Sequence, residues 1–437
     1  MNKTSKKYFI IYALLTTILL LISNSTAIVQ NNILNNENEQ NDQELVLLYG
    51  EVSFYIETKI GYSGEPFNVS YSIPPIYKNQ TGLFIELNET TTADIISYDI
   101  TMDQNKPNLA INFKINSINP EETPYVYFQF WVLVKNHDYS DLPDYVKVPE
   151  EKDLSEEAKS FLISTKAVQS KNIRIRLNAF LLKKRSDNII DIVPNIVKYT
   201  KEKKLRLKLW NFLMLISPNK STWAKYLDAV SSLTLGGSCT GRANLGTALL
   251  RANKIPARVI HVMPTWSTDL MYMDMHYISE CYCPGYGWML AETTIGIFPY
   301  QYKNNIILRI CSTDDENIAG NRNSYFGGCE QWFWTSINEI RLFWRNETIN
   351  NSGAASRYEN MIFTDIFNSS LSFNLSKDVY NLQTSYFGKN LNVENKNHYE
   401  NATIYQKNAI SNFKNSDLAN FISNMTMAKE ELIQINL

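Results

Sequence analysis

From residue 45 to about residue 135 the chain alternates short apolar runs with turn residues. The runs LVLLYGEVSFYIETKI, LFIELN, DIISYDIT, LAINFKI and YVYFQFWVLV are rich in β-branched and aromatic side chains, and Ser63-Gly64 and Pro74-Pro75 punctuate them. None shows a helical period, so the stretch predicts an all-β sandwich of six to eight strands. The pattern changes near Asp153, where Asp153 and Glu156 have the spacing of an acidic N-cap with its returning glutamate. Helical candidates follow at 189–201, 205–216 and 222–232, with Pro194 expected to interrupt or kink the first.

The stretch 236–260, GGSCTGRANLGTALLRANKIPARVI, predicts a tight glycine turn and then a helix opened by Ser238 or Cys239. Ala243, Leu245, Leu249, Leu250 and Ala252 cover most of its circumference, as in a buried helix. Cys239 therefore falls at a helix N-terminus. Free amides and the helix dipole there lower a thiol pKa and can hold an oxyanion. A strand over 256–263 follows, then a hairpin turning at Pro284-Gly285. Tyr272, Asp274, His276, Ile278 and Glu280 alternate along its first strand, and Trp288, Leu290 and Glu292 along its second. A hairpin symmetric about Pro284 sets His276 opposite Glu292 and Glu280 opposite Trp288. In that register Glu292 orients the imidazole and His276 serves as base to Cys239. His261, on the adjacent strand, is the alternative base, while His137 and His398 read as ordinary core or surface residues.

Composition sharpens this picture in two places. The chain holds 49 asparagines, but only Asn244 and Asn253 fall within 230–300, a stretch that carries seven of the sixteen glycines. A background bias that stops at one segment marks where packing and chemistry dictate the residues. The N-terminus reads as a targeting signal: Lys3, Lys6 and Lys7 precede an uncharged run over 8–22, and Ser25-Thr26-Ala27 offers a cleavage site. The expectation is an exported chain. Retention of the segment as an uncleaved anchor is the alternative and the one route to a membrane. Ten N-x-S/T sequons follow the signal, in a chain whose asparagine content supplies many by chance. A formal net charge of −2 gives no surplus for a phosphate backbone, so nucleic-acid binding is disfavoured.

Taken in order, the glycine-flanked Cys239, the Ile255-Pro256-Ala257-Arg258 strand, His276 with Glu280 four residues on, and Gly287-Trp288 leading to Glu292-Thr293-Thr294 resemble the transglutaminase-like superfamily. The resemblance covers about 70 residues closely. It implies an α+β, papain-like core in which a cysteine-bearing helix packs on an antiparallel sheet, preceded here by the sandwich. It implies Cys239, His276 and Glu292 as the triad and Trp223 as a candidate second oxyanion donor. The activity implied is thioester chemistry on amide bonds of a peptide or protein, with release to water or to an amine, and no cofactor or metal. Three positions depart from the family pattern: Glu292 stands where Asp is usual, Ile278 where Trp is frequent, and Lys254 in place of a glycine. The competing class is a non-catalytic extracellular binding or structural protein on the same fold.

The resulting organisation is a signal peptide at 1–27, a polar linker at 28–44, the sandwich at 45–150, the transglutaminase-like domain at 151–300 with its core at 230–296, and a C-terminal region at 301–437. That last region is expected to be partly packed on the core and partly loop-rich, ending in a helix near 416–433. Five cysteines leave four once Cys239 is set aside. A Cys311–Cys329 disulfide is the first expectation, pairing of Cys281 and Cys283 with that pair the second, and four reduced thiols the third. Cys281-x-Cys283 lacks a second ligand pair for zinc, and Asp314-Asp315-Glu316 reads as a solvated acidic turn.

Overall fold

The computed structural model describes residues 44–102, 107–136, 139, 142–203, 227–265, 276–317, 333–335, 340–344, 356–362 and 366–436. The signal segment and the linker up to residue 43 lie outside them, as do Trp223, His137 and Cys329.

The first six strands are β1 (Glu44–Thr58), β2 (Phe67–Ile73), β3 (Gln80–Leu87), β4 (Ile95–Met102), β5 (Leu109–Ile115) and β6 (Tyr125–Lys135). They form the two antiparallel layers that the alternating pattern predicts. β1 shows the logic. Val46, Leu48, Val52, Phe54 and Ile56 enter the core between the sheets, while Leu45 and Leu47 point to the opposite side and are just as buried. A strand buried on both faces needs cover on both. The second cover is a layer of three helices, α7 (Ile366–Tyr386), α8 (Val393–Lys414) and α9 (Leu418–Ile433).

The sandwich is not confined to 45–150. β11 (Phe333–Thr335) joins β2, while β12 (Ile340–Trp344) and β13 (Ser356–Ile362) both pair with the long β1. The C-terminal region is also more regular than its composition suggests. In α8 the buried Ala402, Gln406, Ala409, Ile410 and Phe413 keep helical spacing, and Phe421, Met425, Ala428 and Leu432 do so in α9.

Between these parts lies the α+β core. Helix α1 (Glu156–Ser160) is capped by Ser155, whose hydroxyl accepts from the Ala158 amide at 3.2 Å, and not by Asp153. Helices α2 (Ile173–Lys183) and α3 (Ile189–Glu202) follow, and α3 continues through Pro194. The 205–216 candidate and residues 222–226 of the next one fall outside the described residues; α4 (Ala229–Leu235) begins at an Asp228 cap. Helix α5 (Cys239–Ala252) packs on an antiparallel sheet of order β10-β7-β8-β9, built from β7 (Ala257–Pro264), β8 (His276–Cys283), β9 (Gly287–Ala291) and β10 (Asn305–Ile310).

Residues 313–317 correct one expectation. They form a short helix, α6 (Thr313–Asn317), in which Asp315 and Glu316 are buried. Glu316 meets the Arg251 guanidinium through two contacts of 2.6 and 2.8 Å, and Asp315 meets Arg309 at 2.8 and 3.1 Å. Two buried arginines from α5 and β10 supply the compensation that lets these acids leave water.

Candidate active site

The cysteine helix begins where the sequence places it. Ser238 is the N-cap residue with extended backbone, and its side chain makes no capping bond. The Arg242 amide is satisfied by the Ser238 carbonyl at 2.9 Å, which leaves the amides of residues 239–241 as the donors of the first turn. Gly241 permits a close crossing: a Cβ there would run into the Ser232 hydroxyl on α4. The Gly237 amide donates to the Lys203 carbonyl at 2.9 Å and ties the turn to the end of α3.

The hairpin register differs from the expectation by two residues. Glu280 opposes Leu290 and Cys283 opposes Gly287, so the centre is Gly285, and Tyr282, not Glu280, faces Trp288. Pro284, Gly285 and Tyr286 make the reversal, with Gly285 at φ 85°, and Gly287 at φ 77° opens β9. The ladder stops at Ser279 and Ala291, so Glu292 does not stand opposite His276. A two-residue shift preserves the face, however, and leaves the pair diagonal rather than direct. The glutamate spans that diagonal. Its Oε2 lies 2.5 Å from His276 Nε2, and its Oε1 accepts the Thr294 amide at 2.6 Å.

Electrostatics separate the three groups. His276 and Glu292 are fully buried, while Cys239 keeps partial exposure. Burial alone would raise the Cys239 thiol; the His276 hydrogen bond and charge, the Tyr277 backbone and the Arg242 charge outweigh it and lower its pKa. Burial likewise pulls the His276 imidazole down, and the Glu292 carboxylate and Cys239 together carry it up to about 10. Both directions favour a thiolate–imidazolium pair near neutral pH. Glu292 occupies Nε2, so Nδ1 is the nitrogen left for the thiol.

His261 goes elsewhere. It packs on the Tyr277 ring with centroids 4.9 Å apart, and burial, with Arg309 and His276 nearby, holds it well below the usual histidine range and so neutral. Cys239, Cys281 and Cys283 carry free thiols, and a Cys311–Cys329 bond falls outside the described residues through Cys329. Among the described residues no group of three or more His, Cys, Asp or Glu could hold a metal ion.

Arg242 escaped the sequence reading. It lies one turn after Cys239, and its Nη1 donates to the Thr294 carbonyl at 3.1 Å, beside the turn that holds Glu292. The i, i+3 spacing was the available signal. Glu280 takes a structural part: it receives hydrogen bonds from Tyr77 at 2.7 Å, Lys78 at 3.0 Å and Arg258 at 2.9 Å, clear of the His276 pair.

A family model of the transglutaminase-like superfamily matches residues 195–293, a span that contains Cys239, His276 and Glu292. The chain carries a transglutaminase-like domain. The match supports a cysteine-dependent enzyme at the level of the superfamily. Among solved structures, the crystal structure of "a Putative Cysteine Protease from Cytophaga hutchinsonii" is similar at 15% identity and a TM-score of 0.45, over 74% of this chain and 90% of that one. No curated protein matches the chain.

Proposed function

We propose that this transglutaminase-like protein is an exported enzyme that cleaves or transfers the acyl group of amide bonds in peptides or proteins through a thioester. The observation that carries the proposal is the buried 2.5 Å His276–Glu292 contact beside a half-buried cysteine with a lowered pKa at a helix N-terminus. In this reading the Cys239 thiolate attacks the amide carbonyl. The amides opening α5 stabilise the oxyanion. The His276 imidazolium donates its proton to the departing amine as the tetrahedral intermediate collapses to the thioester. Neutral His276 then takes a proton from water or from an incoming amine, whose attack releases the acyl group and restores the thiolate. Glu292 holds the ring and balances its charge. Arg242 favours the thiolate and braces the Glu292 turn.

The test is mass analysis of a peptide mixture incubated with the protein, with and without an added primary amine. Shortened peptides or deamidated glutamines indicate water as acceptor, and amine adducts indicate transfer. Cys239→Ala should abolish either product while leaving the melting curve in place, His276→Ala should abolish either product as well, and His261→Ala should spare activity. Undiminished turnover in Cys239→Ala would overturn the proposal.

A further inference from the structure

Helix α2 has two apolar faces, and the fold uses one. Ile175 and Ala179 are buried, with Leu182 half-buried beside them. The helix is fixed in place by the Asn253 side chain, which donates to the Ala179 carbonyl at 3.1 Å, and by the Tyr199 hydroxyl, which donates to Asn178 at 2.8 Å. On the outer side Ile173, Leu177, Phe180 and Leu181 are 72%, 58%, 67% and 62% exposed. At 3.6 residues per turn these four form one stripe, roughly opposite the buried residues, with Arg174 and Arg176 on either side of it.

Charge says what such a stripe can meet. Residues 158–186 contain eight Lys or Arg and not one Asp or Glu, in a chain whose formal net charge is −2. Six of those cations, Lys171, Arg174, Arg176, Lys183, Lys184 and Arg185, lie on α2 or its ends. Four large side chains at this exposure offer on the order of 400 Å², the scale of patch that marks an interaction site. That is about half of what each partner brings to a standard protein–protein interface. A short, rigid, convex ridge of apolar side chains edged by cations is the geometry of an interfacial helix, with its apolar face in the headgroup–acyl boundary and its cations at lipid phosphates.

We propose that α2 docks the protein on an anionic lipid bilayer. Ile173, Leu177, Phe180 and Leu181 enter the bilayer surface, and the flanking arginines and lysines meet the headgroups. This holds the transglutaminase-like domain at the membrane independently of the N-terminal segment and of the catalytic reading.

The experiment uses the chain from residue 28 onward, which removes the apolar leader and keeps every described element. Binding is measured by vesicle flotation with phosphatidylcholine alone and with about 30% phosphatidylserine added. The expected result is at least roughly tenfold tighter binding to the anionic vesicles, weakening as salt rises. Hydrogen exchange over 171–185 should slow on binding. Leu177→Asn with Phe180→Asn should abolish flotation without moving the melting temperature, and Lys184→Glu with Arg185→Glu should remove most of its salt sensitivity. Equal binding to both vesicles, no binding, unchanged exchange over 171–185, or flotation that survives the Asn substitutions would each overturn the proposal. So would loss of fold in the Asn variant, because the stripe would then be packed within the free chain. A self-association that the Asn variant abolishes, without vesicle binding, would assign the stripe to a second copy instead.

Discussion

Replacing Glu292 by glutamine keeps the length of the side chain and removes its charge. In the wild-type chain this carboxylate is the strongest influence that keeps a fully buried imidazole protonated up to about pH 10. An opposite charge at hydrogen-bonding range shifts a pKa by about 1–3 units. The Glu292→Gln chain should therefore release the His276 proton about 1–3 units lower. Each unit is about 1.4 kcal/mol, so the equilibrium constant for the thiolate–imidazolium pair should fall by about 10- to 1000-fold. The sign follows from the two directions. The pair exists above the lowered Cys239 ionisation and below the raised His276 one. A less basic His276 moves the alkaline limit down, while the acid limit is still set beside an imidazolium of unchanged unit charge. The window narrows from the alkaline side.

The assay is the rate of Cys239 carbamidomethylation against pH, resolved by peptide mass, with amide turnover followed in parallel. Cys283 is the internal reference, because burial pushes its thiol up to about 11. Wild type should show a broad plateau of Cys239 reactivity, and Glu292→Gln a lower and narrower one. Glu292→Asp should resemble the glutamine variant even though Asp is the usual residue of the family, since drawing the carboxylate back by one methylene opens the 2.5 Å contact across the diagonal. Superimposable profiles for wild type and Glu292→Gln, with matching melting curves, would falsify the argument.

Three further outcomes concern stability. Lys254 sits at φ 65°, in the left-handed region that costs a side-chain-bearing residue about 1–2 kcal/mol; Lys254→Gly should gain about 0.5–1 kcal/mol in urea unfolding, and a loss would contradict it. Glu316→Ala leaves the fully buried Arg251 guanidinium without its partner and should cost about 3–5 kcal/mol by the same measurement, most of it recovered when Arg251→Met is added. Gly388 has φ 74°, and a Cβ there would overlap the Tyr98 carbonyl oxygen; Gly388→Ala should cost at least about 1–3 kcal/mol, and a neutral effect would mean that the α7–α8 junction does not press on β4 as described.

The legible parts of this chain were those whose period is strong and local. The sandwich strands alternate on a two-residue period, and the α5-to-β9 segment stands out from its asparagine background. Register was less legible. The turn is Pro284, Gly285 and Tyr286, so its centre is Gly285, which takes positive φ, and not Pro284; moving the centre by one residue moves every partner in the ladder by two. The His276–Glu292 contact forms all the same because a two-residue slip keeps the face and glutamate is long. Long-range charge pairing was not legible at all. Nothing local in Asp314-Asp315-Glu316 announces that Arg251, over sixty residues earlier, waits in the core. The last C-terminal helix is the one expected near 416–433; α7 and α8 were hidden for another reason: the buried stripe is narrow, and asparagines and serines fill the remaining faces.

The relation of the sandwich to the site follows from an edge. In the order β10-β7-β8-β9, β10 has no strand on its outer side among the described residues, and an unpaired edge strand is a template for misassociation. Two amide side chains of the sandwich close it. Gln80 accepts the Ile307 amide at 2.7 Å and donates to the Ile307 carbonyl at 2.9 Å. Asn108 does the same for Ile310, both contacts at 2.8 Å. Each amide imitates the backbone of a neighbouring strand, satisfying one donor and one acceptor without adding a strand. A few residues from Gln80, Tyr77 and Lys78 reach Glu280 on β8, the strand that starts at His276. The sandwich thus grips the β10-β7-β8-β9 sheet at its outer edge and at the strand that carries His276. A carboxylate at position 280 could not stay buried and charged without those donors. It lies four positions after His276 on the same strand, so the contacts that hold β8 in register against the sandwich also fix where the imidazole starts its approach to Cys239.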